Sequence, residues 1–246
     1  MRTLSIDIGG TGIKALILDA DGKPLTERTR VETPDPGIPP AVLGILEEIA
    51  RAQGEFDRVS VGFPGVILEG VTLTAPNLDP SWAGFALGTA LETLFQKPVR
   101  VANDADIQGL AVVEGVGVEM LITLGTGMGA GLYIDGRLVP NLELGHHPFR
   151  NDQTYEQRVS NAERKRIGNG RWNRRVRQAV KQLEPIFNYR VLYIGGGNAR
   201  HLEADRLPKN VRVIENVAGL LGGIRLWQKD PPAPREPAQN GAPAQT

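Results

Sequence analysis

The run Leu4-Ser5-Ile6-Asp7-Ile8-Gly9-Gly10-Thr11-Gly12-Ile13-Lys14-Ala15-Leu16-Ile17-Leu18 reads as strand, glycine turn, strand. Apolar, β-rich residues lead into the turn and out of it, and Asp21-Gly22 follows as a hairpin-type turn signal. Gly9, Gly10 and Gly12 permit backbone angles closed to other residues and leave space for a bulky anion against exposed N–H groups. Thr11 adds a hydroxyl and Asp7 a carboxylate. An acid beside an anion cradle is repulsive unless a cation stands between them, so Asp7 points to Mg²⁺. The plain alternative is a glycine-rich hairpin turn with no ligand.

The same theme returns later in the chain. Leu121-Ile122-Thr123-Leu124 is a strand, Gly125-Thr126-Gly127-Met128-Gly129 a turn, and Leu132-Tyr133-Ile134 a strand closed by Asp135-Gly136. Duplication of such a unit predicts two similar lobes facing each other across a cleft. Two anion cradles in one cleft describe a nucleotide or polyphosphate site.

Between the two hairpins, Thr33 to Pro40 breaks regular structure before a helix with Val42, Leu43, Leu46 and Ile49 at helical spacing. A short strand at Arg58–Val61 ends in Gly62-Phe63-Pro64-Gly65, and an excursion from Val66 to Thr74 turns at Glu69-Gly70. Trp82 and Phe85 are expected to pack locally. A helix over Leu87–Phe95 leads to a strand at Val99–Ala102 that ends on Asn103-Asp104. Strand–helix–strand order predicts mixed sheets with covering helices. A carboxylate where a strand meets a helix points into a cleft, but Asn103 can equally cap the helix while Asp104 and Asp106 favour its positive end.

Glu143-Leu144-Gly145-His146-His147 falls in a loop. With 3 histidines and no cysteine in the chain, metal ligation there is disfavoured, whereas Glu143 and His146 suit the hydroxyls of a sugar. Arg164, Lys165, Arg166, Arg171, Arg174, Arg175, Arg177 and Lys181 form a stretch without a carboxylate. Trp172, Val176, Ala179, Val180, Leu183 and Phe187 make its later part an amphipathic helix. Its basic face reads either as a solvated surface or as a guide for a long polyanion. Arg190–Ile194 is a strand entering a third glycine turn, Gly195-Gly196-Gly197-Asn198. A helix is expected over 218–227, with Gly222-Gly223 allowing close packing. The Pro- and Ala-rich residues 230–246 are expected to be disordered.

The 246 residues suffice for a substantial core, and 28 basic residues balance 28 acidic ones, so overall charge recruits neither nucleic acid nor a membrane surface. The absence of cysteine excludes disulfides, thiolate nucleophiles and cysteine-rich zinc sites. With no signal-like or membrane-length apolar run, the expectation is a soluble, cytoplasmic protein.

Asp7-Ile8-Gly9-Gly10-Thr11, Gly62-Phe63-Pro64-Gly65, Pro76-Asn77-Leu78, Asn103-Asp104-Ala105, Leu124-Gly125-Thr126-Gly127, Glu143-Leu144-Gly145-His146 and Gly195-Gly196-Gly197-Asn198 occur in the order seen in ROK-family sugar kinases. The resemblance spans nearly the whole chain and, within that family, is greatest to the polyphosphate glucokinases. It implies an α/β, actin-like (ribonuclease-H-like) fold of two lobes, 1–102 and 103–229, closing over glucose or a similar hexose and a phosphoryl donor, polyphosphate or ATP. By this resemblance Asp104 would be the catalytic base, and Asn103, Glu143, His146 and Glu156 would hold the sugar. Gly9, Gly10, Thr11 and Gly12, with Lys14, would cradle one part of the donor. Gly125, Thr126 and Gly127 would cradle another, and Gly195, Gly196 and Asn198 would approach a nucleoside. Asp7 would hold Mg²⁺, no structural zinc is expected, and a homodimer is the expected assembly. The rival readings are a kinase for another hexose, such as mannose or an amino sugar, and a non-catalytic sugar sensor. A first strand that starts at the N-terminus and the presence of Asp104 favour the enzyme.

Overall fold

The structure is a computed structural model and describes residues 1–214 and 218–228. The expectation for 230–246 lies outside the described residues. β1 (Thr3–Ile8) and β2 (Ile13–Leu18) pair antiparallel with Asp7 opposite Lys14 and Ile8 opposite Ile13, leaving Gly9 to Gly12 as the turn. β3 (Thr29–Val31) extends this hairpin. α1 (Pro39–Gln53) crosses to β4 (Arg58–Phe63), which lies parallel to β1. Proline suits the start of α1, where a backbone N–H would lack an intrahelical acceptor anyway. The expected excursion is a small ribbon, β5 (Ile67–Leu68) and β6 (Val71–Thr72), with Glu69 and Gly70 at positive φ in its turn. α2 (Leu87–Phe95) then returns the chain to β7 (Val99–Asn103), parallel to β4.

The first sheet thus runs β3-β2-β1-β4-β7. Val42, Leu46 and Ile49 of α1 and Leu87 and Leu91 of α2 cover one face, packing on Leu4, Ile6, Val59, Val61 and Phe63. Trp82 is fully buried in this core, 5.0 Å from the Phe63 ring and 5.3 Å from Phe85, and its indole N–H donates to Gly37 O at 2.7 Å.

α3 (Asp104–Leu110) leads into the second sheet. β8 (Val118–Leu124), β9 (Met128–Ile134) and β10 (Arg137–Val139) are its antiparallel part. A ribbon of β11 (Pro148–Arg150) and β12 (Gln153–Thr154) precedes α4 (Tyr155–Val159), α5 (Asn161–Ile167) and α6 (Asn169–Phe187). β13 (Val191–Gly195) and β14 (Val211–Val213) complete the order β10-β9-β8-β13-β14. This order repeats that of the first sheet, with an antiparallel hairpin plus edge strand on one side and two parallel strands on the other, so the duplication read from two glycine hairpins extends to the whole sheet. Trp172, Val176, Ala179, Val180 and Leu183 bury one side of α6 under β8 and β13, while Arg171, Arg174 and Lys181 stay exposed on the other.

The expected helix over 218–227 begins as α7 (Ala218–Leu221) and tightens to a 3₁₀ helix over Gly222–Trp227. The change falls on the glycine pair, where a Cβ on Gly222 would strike the Ile107 carbonyl and one on Gly223 the Ser5 hydroxyl. Although the sequence reading places 218–227 with the second lobe, the segment lies on the uncovered face of the first sheet. Ser5 Oγ donates to Leu220 O at 2.6 Å and Ser60 Oγ to Gly223 O at 2.7 Å, and Leu16 and Leu18 pack on Leu220 and Ile224. α3 is wedged between this segment and the second sheet, where Ala105 and Leu110 meet Leu121 and Tyr133.

Candidate active site

The two glycine turns are built alike. Gly9 N–H donates to Gly12 O at 3.1 Å, and Gly125 N–H donates to Gly127 O at 3.0 Å. Each turn closes on itself and leaves the next N–H groups, those of Gly10, Thr11 and Gly12 and of Thr126 and Gly127, without an acceptor among the described residues. Several such donors pointing into one space favour an anion. Gly10 has a specific need to lack a side chain, because a Cβ there would collide with the Asn77 backbone oxygen. The second turn is braced from behind: Asn198 Nδ2 donates to Gly125 O at 3.1 Å, and Asn161 N–H reaches the same oxygen at 3.0 Å.

Both turns open on one cavity of about 630 Å³. Asn103 and Asp104 enter it from the β7–α3 junction, and Glu143 and His146 from the loop after β10. Glu156 enters from the first turn of α4. A capping box holds that helix start, with Gln157 N–H donating to Thr154 Oγ1 at 3.2 Å and Thr154 N–H to Gln157 Oε1 at 2.9 Å. Glu156 Oε2 accepts the Met128 N–H at 3.0 Å and so lies against the second turn. Asp7, Lys14, Gly196 and Asn198 also lie on the wall. Gly195 does not line the cavity. It is the buried end of β13, where a Cβ would sit 3.0 Å from Gln108 Nε2.

Both readings of Asn103-Asp104 are realised together. Asn103 Oδ1 accepts from Ala105 N–H at 2.8 Å and Asp106 N–H at 3.3 Å, capping α3, and Nδ2 donates to Gly65 O at 3.1 Å. Asp104 Oδ1 accepts the Ala105 N–H at 2.8 Å, while its carboxylate faces the cavity. Burial, then the negative charge of Asp7, pushes the Asp104 carboxyl up to about 7; the Ala105 N–H opposes this, and Glu143 and Asp106 reinforce it. Burial also raises Glu143, against the pull of His146, whose Nδ1 lies 3.7 Å from Glu143 Oε2.

Asp106 points away from the cavity. It is 1% exposed, its Oδ2 accepts the Asn141 N–H at 3.0 Å, and its Oδ1 has no partner. Burial pushes it up to about 7, with the Asn141 N–H opposing and Glu143 adding to the rise. An acid whose folded pKa exceeds its unfolded value of 3.8 contributes stability below that value and loses it as pH rises toward 7. In Asp106→Asn, stability relative to the parent should therefore rise by about 2–3 kcal/mol between pH 5 and pH 8. Denaturant unfolding at the two pH values measures this, and a constant difference would show that Asp106 ionises normally in the fold.

The cavity wall carries both signs of charge: Asp7, Asp104, Glu143 and Glu156 line it together with Lys14, Arg30, Arg164, Lys165 and Arg200. Arg30 Nη2 donates to Thr11 O at 3.3 Å. Arg164 is braced by Asn161 Oδ1 at 3.0 Å and Asn169 Oδ1 at 2.9 Å. Lys165 has no hydrogen bond or ion pair among the described residues. The cation that the sequence reading places beside Asp7 is in part supplied by the chain itself, since Lys14 Nζ donates to Asp7 Oδ2 at 2.7 Å.

Comparison with known proteins decides the family, because a ROK family model matches residues 3–156. The chain belongs to the ROK family. It is 32% identical to the polyphosphate glucokinase of Mycobacterium leprae (strain TN) over 93% of its own length and 75% of that protein. It is equally identical to that of Mycobacterium tuberculosis (strain CDC 1551 / Oshkosh), over 88% of each chain. Among solved structures, the inorganic polyphosphate/ATP-glucomannokinase from Arthrobacter sp. strain KM superposes with a TM-score of 0.84 at 33% identity, over 92% of this chain and 97% of that one. The two matching sheets are thus those of the actin-like fold of ROK sugar kinases.

Several wall residues of this ROK chain were not singled out by sequence reading. Arg164 and Lys165 were visible only as members of the basic stretch, and Asn77 only as part of a motif without a role. Arg30, Gln108, Asn161 and Arg200 carry no local signal, because β3, α3, α5 and the loop after β13 bring them together from distant parts of the chain. No helix among the described residues is long and apolar enough to cross a membrane.

Proposed function

We propose that this ROK-family phosphotransferase moves a phosphoryl group from inorganic polyphosphate, ATP or both to the 6-hydroxyl of glucose. The observation that carries this reading is a single cavity lined at once by two turns with free N–H groups, by basic side chains and by the buried carboxylate of Asp104. Phosphates suit the N–H-lined turns, and a polyhydroxylated acceptor suits the polar side chains around Asp104. Asn103, Glu143, His146 and Glu156 offer hydrogen bonds to ring hydroxyls. Asp104, between them and the donor turns, orients the attacking hydroxyl and takes its proton. A loose phosphoryl-transfer transition state gives up that proton late, so positioning matters more than base strength. A carboxyl that titrates near 7 can accept the proton and then release it.

The turns around Gly10 and Gly127 supply backbone donors to the donor oxygens, with Lys14, Arg30 and Lys165 adding positive charge. Gly196 and Asn198 border the place for a nucleoside when ATP is the donor, with Gly195 behind them. Among the described residues, no cluster of three or more His, Cys, Asp or Glu could hold a metal. Mg²⁺ held partly by phosphate and water needs only one or two protein carboxylates, and Asp7 Oδ1, which Lys14 leaves open, fits that need. Bound there, Mg²⁺ would neutralise charge on the transferring phosphate.

Polyphosphate is favoured by the exposed row Arg171, Arg174 and Lys181, which lies along α6 at helical spacing, follows Arg164 and Lys165 of the cavity wall in the chain, and has no ion-pair partner among the described residues. Replacing all three by alanine should raise the KM for long polyphosphate about tenfold at low salt and leave the KM for ATP within about twofold. Assays with both donors on glucose and mannose test the whole reading. Consumption of neither donor in the presence of glucose would overturn it, and an equal effect of the triple variant on both donors would remove α6 from it.

A further inference from the structure

The loop that carries Glu143 is held from two sides by a single residue. Asn141 sits at φ 63°, in the left-handed region that asparagine tolerates. Its backbone N–H donates to Asp106 Oδ2 at 3.0 Å, which ties it to α3. Its side chain pairs with both backbone polar groups of Ile67 in β5: Oδ1 accepts from Ile67 N–H at 3.0 Å, and Nδ2 donates to Ile67 O at 2.8 Å. Ile67 is anchored in the core of the first sheet. Two residues earlier, Gly65 O accepts the amide of Asn103. Residues 65 to 67 therefore serve as a shared platform. They take one side chain from the corner that holds Asp104 and one from the loop that holds Glu143.

We propose that Asn141 is a positioning residue for the sugar acceptor: its clasp on Ile67 and its N–H on Asp106 hold Glu143 at a fixed reach from the Asn103–Asp104 corner. This rests on the reading of Glu143 as a ligand of sugar hydroxyls. A paired amide is directional and two-point, so it fixes both the distance and the rotation of a loop that one hydrogen bond would leave free to swing. Without the clasp, glucose binding itself would have to order the loop, and acceptor affinity would fall by that cost.

The test uses Asn141→Gly, which accepts the positive φ without strain and removes only the side-chain clasp. With two hydrogen bonds lost, the KM for glucose should rise about tenfold, while kcat and the KM for the donor stay within about twofold. Calorimetric titration with glucose alone should show the same loss of affinity. Asn141→Asp has the same size, keeps the acceptor for Ile67 N–H and sets a second acceptor against Ile67 O; it carries the same prediction should the glycine variant not fold. Glu143→Gln is run beside them. An unchanged glucose KM in Glu143→Gln overturns the underlying reading of the site. A raised KM in Glu143→Gln together with an unchanged one in the Asn141 variants overturns the clasp alone. Glucose and donor KM rising together would reduce Asn141 to a structural role and also overturn the proposal.

Discussion

Asp104→Asn should lower kcat for glucose phosphorylation by about 10²- to 10⁴-fold while glucose still binds. The substitution keeps the shape and the acceptor for the Ala105 N–H, so the start of α3 stays in place. What it removes is the carboxylate that faces the cavity at the Asn103 corner. The pH profile supplies an independent check. Burial and Asp7 raise Asp104 to about 7, so the ionised form needed by a base is half populated there and declines below it. In the parent enzyme kcat/KM should therefore fall about tenfold per pH unit below 7 and level off above it. That limb should be absent from the residual activity of the variant. A variant with parental kcat would end the assignment of Asp104 as base, and a profile flat from pH 5 to pH 8 would show that another group governs the proton.

The second large effect is expected at a residue that does not line the cavity. In Gly222→Ala, the new Cβ falls on the backbone carbonyl of Ile107, three residues after Asp104 on α3. No rotamer relieves a clash between a Cβ and a main-chain oxygen, so the segment after α7 or α3 itself must shift. Such overpacking costs roughly 1–3 kcal/mol, which for a chain of this size lowers Tm by roughly 2–12 °C. Displacement of α3 should also reduce kcat several-fold, because phosphoryl transfer is sensitive to misplacement of the reacting groups. Gly223→Ala is the informative comparison. Its Cβ meets Ser5 and Ser60 on the first sheet, not α3, so it should lose stability and retain kcat. Calorimetry and single-turnover rates on the two variants separate these effects; equal kcat values would show that the 218–227 segment stabilises the fold without positioning Asp104.

Much of the site was legible in the chain because its chemistry is local. Gly9 to Gly12 and Gly125 to Gly127 are consecutive residues whose turns close on themselves, so glycine content and flanking strands suffice to find them. Asn103 and Asp104 announce themselves in the same way, by a strand ending on a capping residue. Glu143 and His146 share one short loop. The basic stretch was visible as composition, but its internal division was not. Glu163 takes up Arg166 and Arg175, and Glu203 takes up Arg177, while Arg171, Arg174 and Lys181 stay exposed and Lys165 turns to the cavity. Glu163 lies one residue outside the stretch and Glu203 more than twenty beyond it, so no window of charge could reveal which cations are spent.

By itself, the order of residues determined the elements: the two hairpins with their turns, the amphipathic faces of α1 and α6, and the corner at Asn103. These depend on interactions within a few residues, on backbone angles open to glycine, and on the spacing of apolar side chains. Tertiary structure alone decided what those elements do together. It set the two turns against one cavity, placed the 218–227 segment on the first sheet to brace α3, and brought Asn141 to Ile67. It also raised Asp104 by gathering Asp7 and Glu143 around a buried carboxyl. Burial and charge proximity are sums over neighbours in space, and residues 7, 104 and 143 become neighbours only when both sheets have formed and packed about α3.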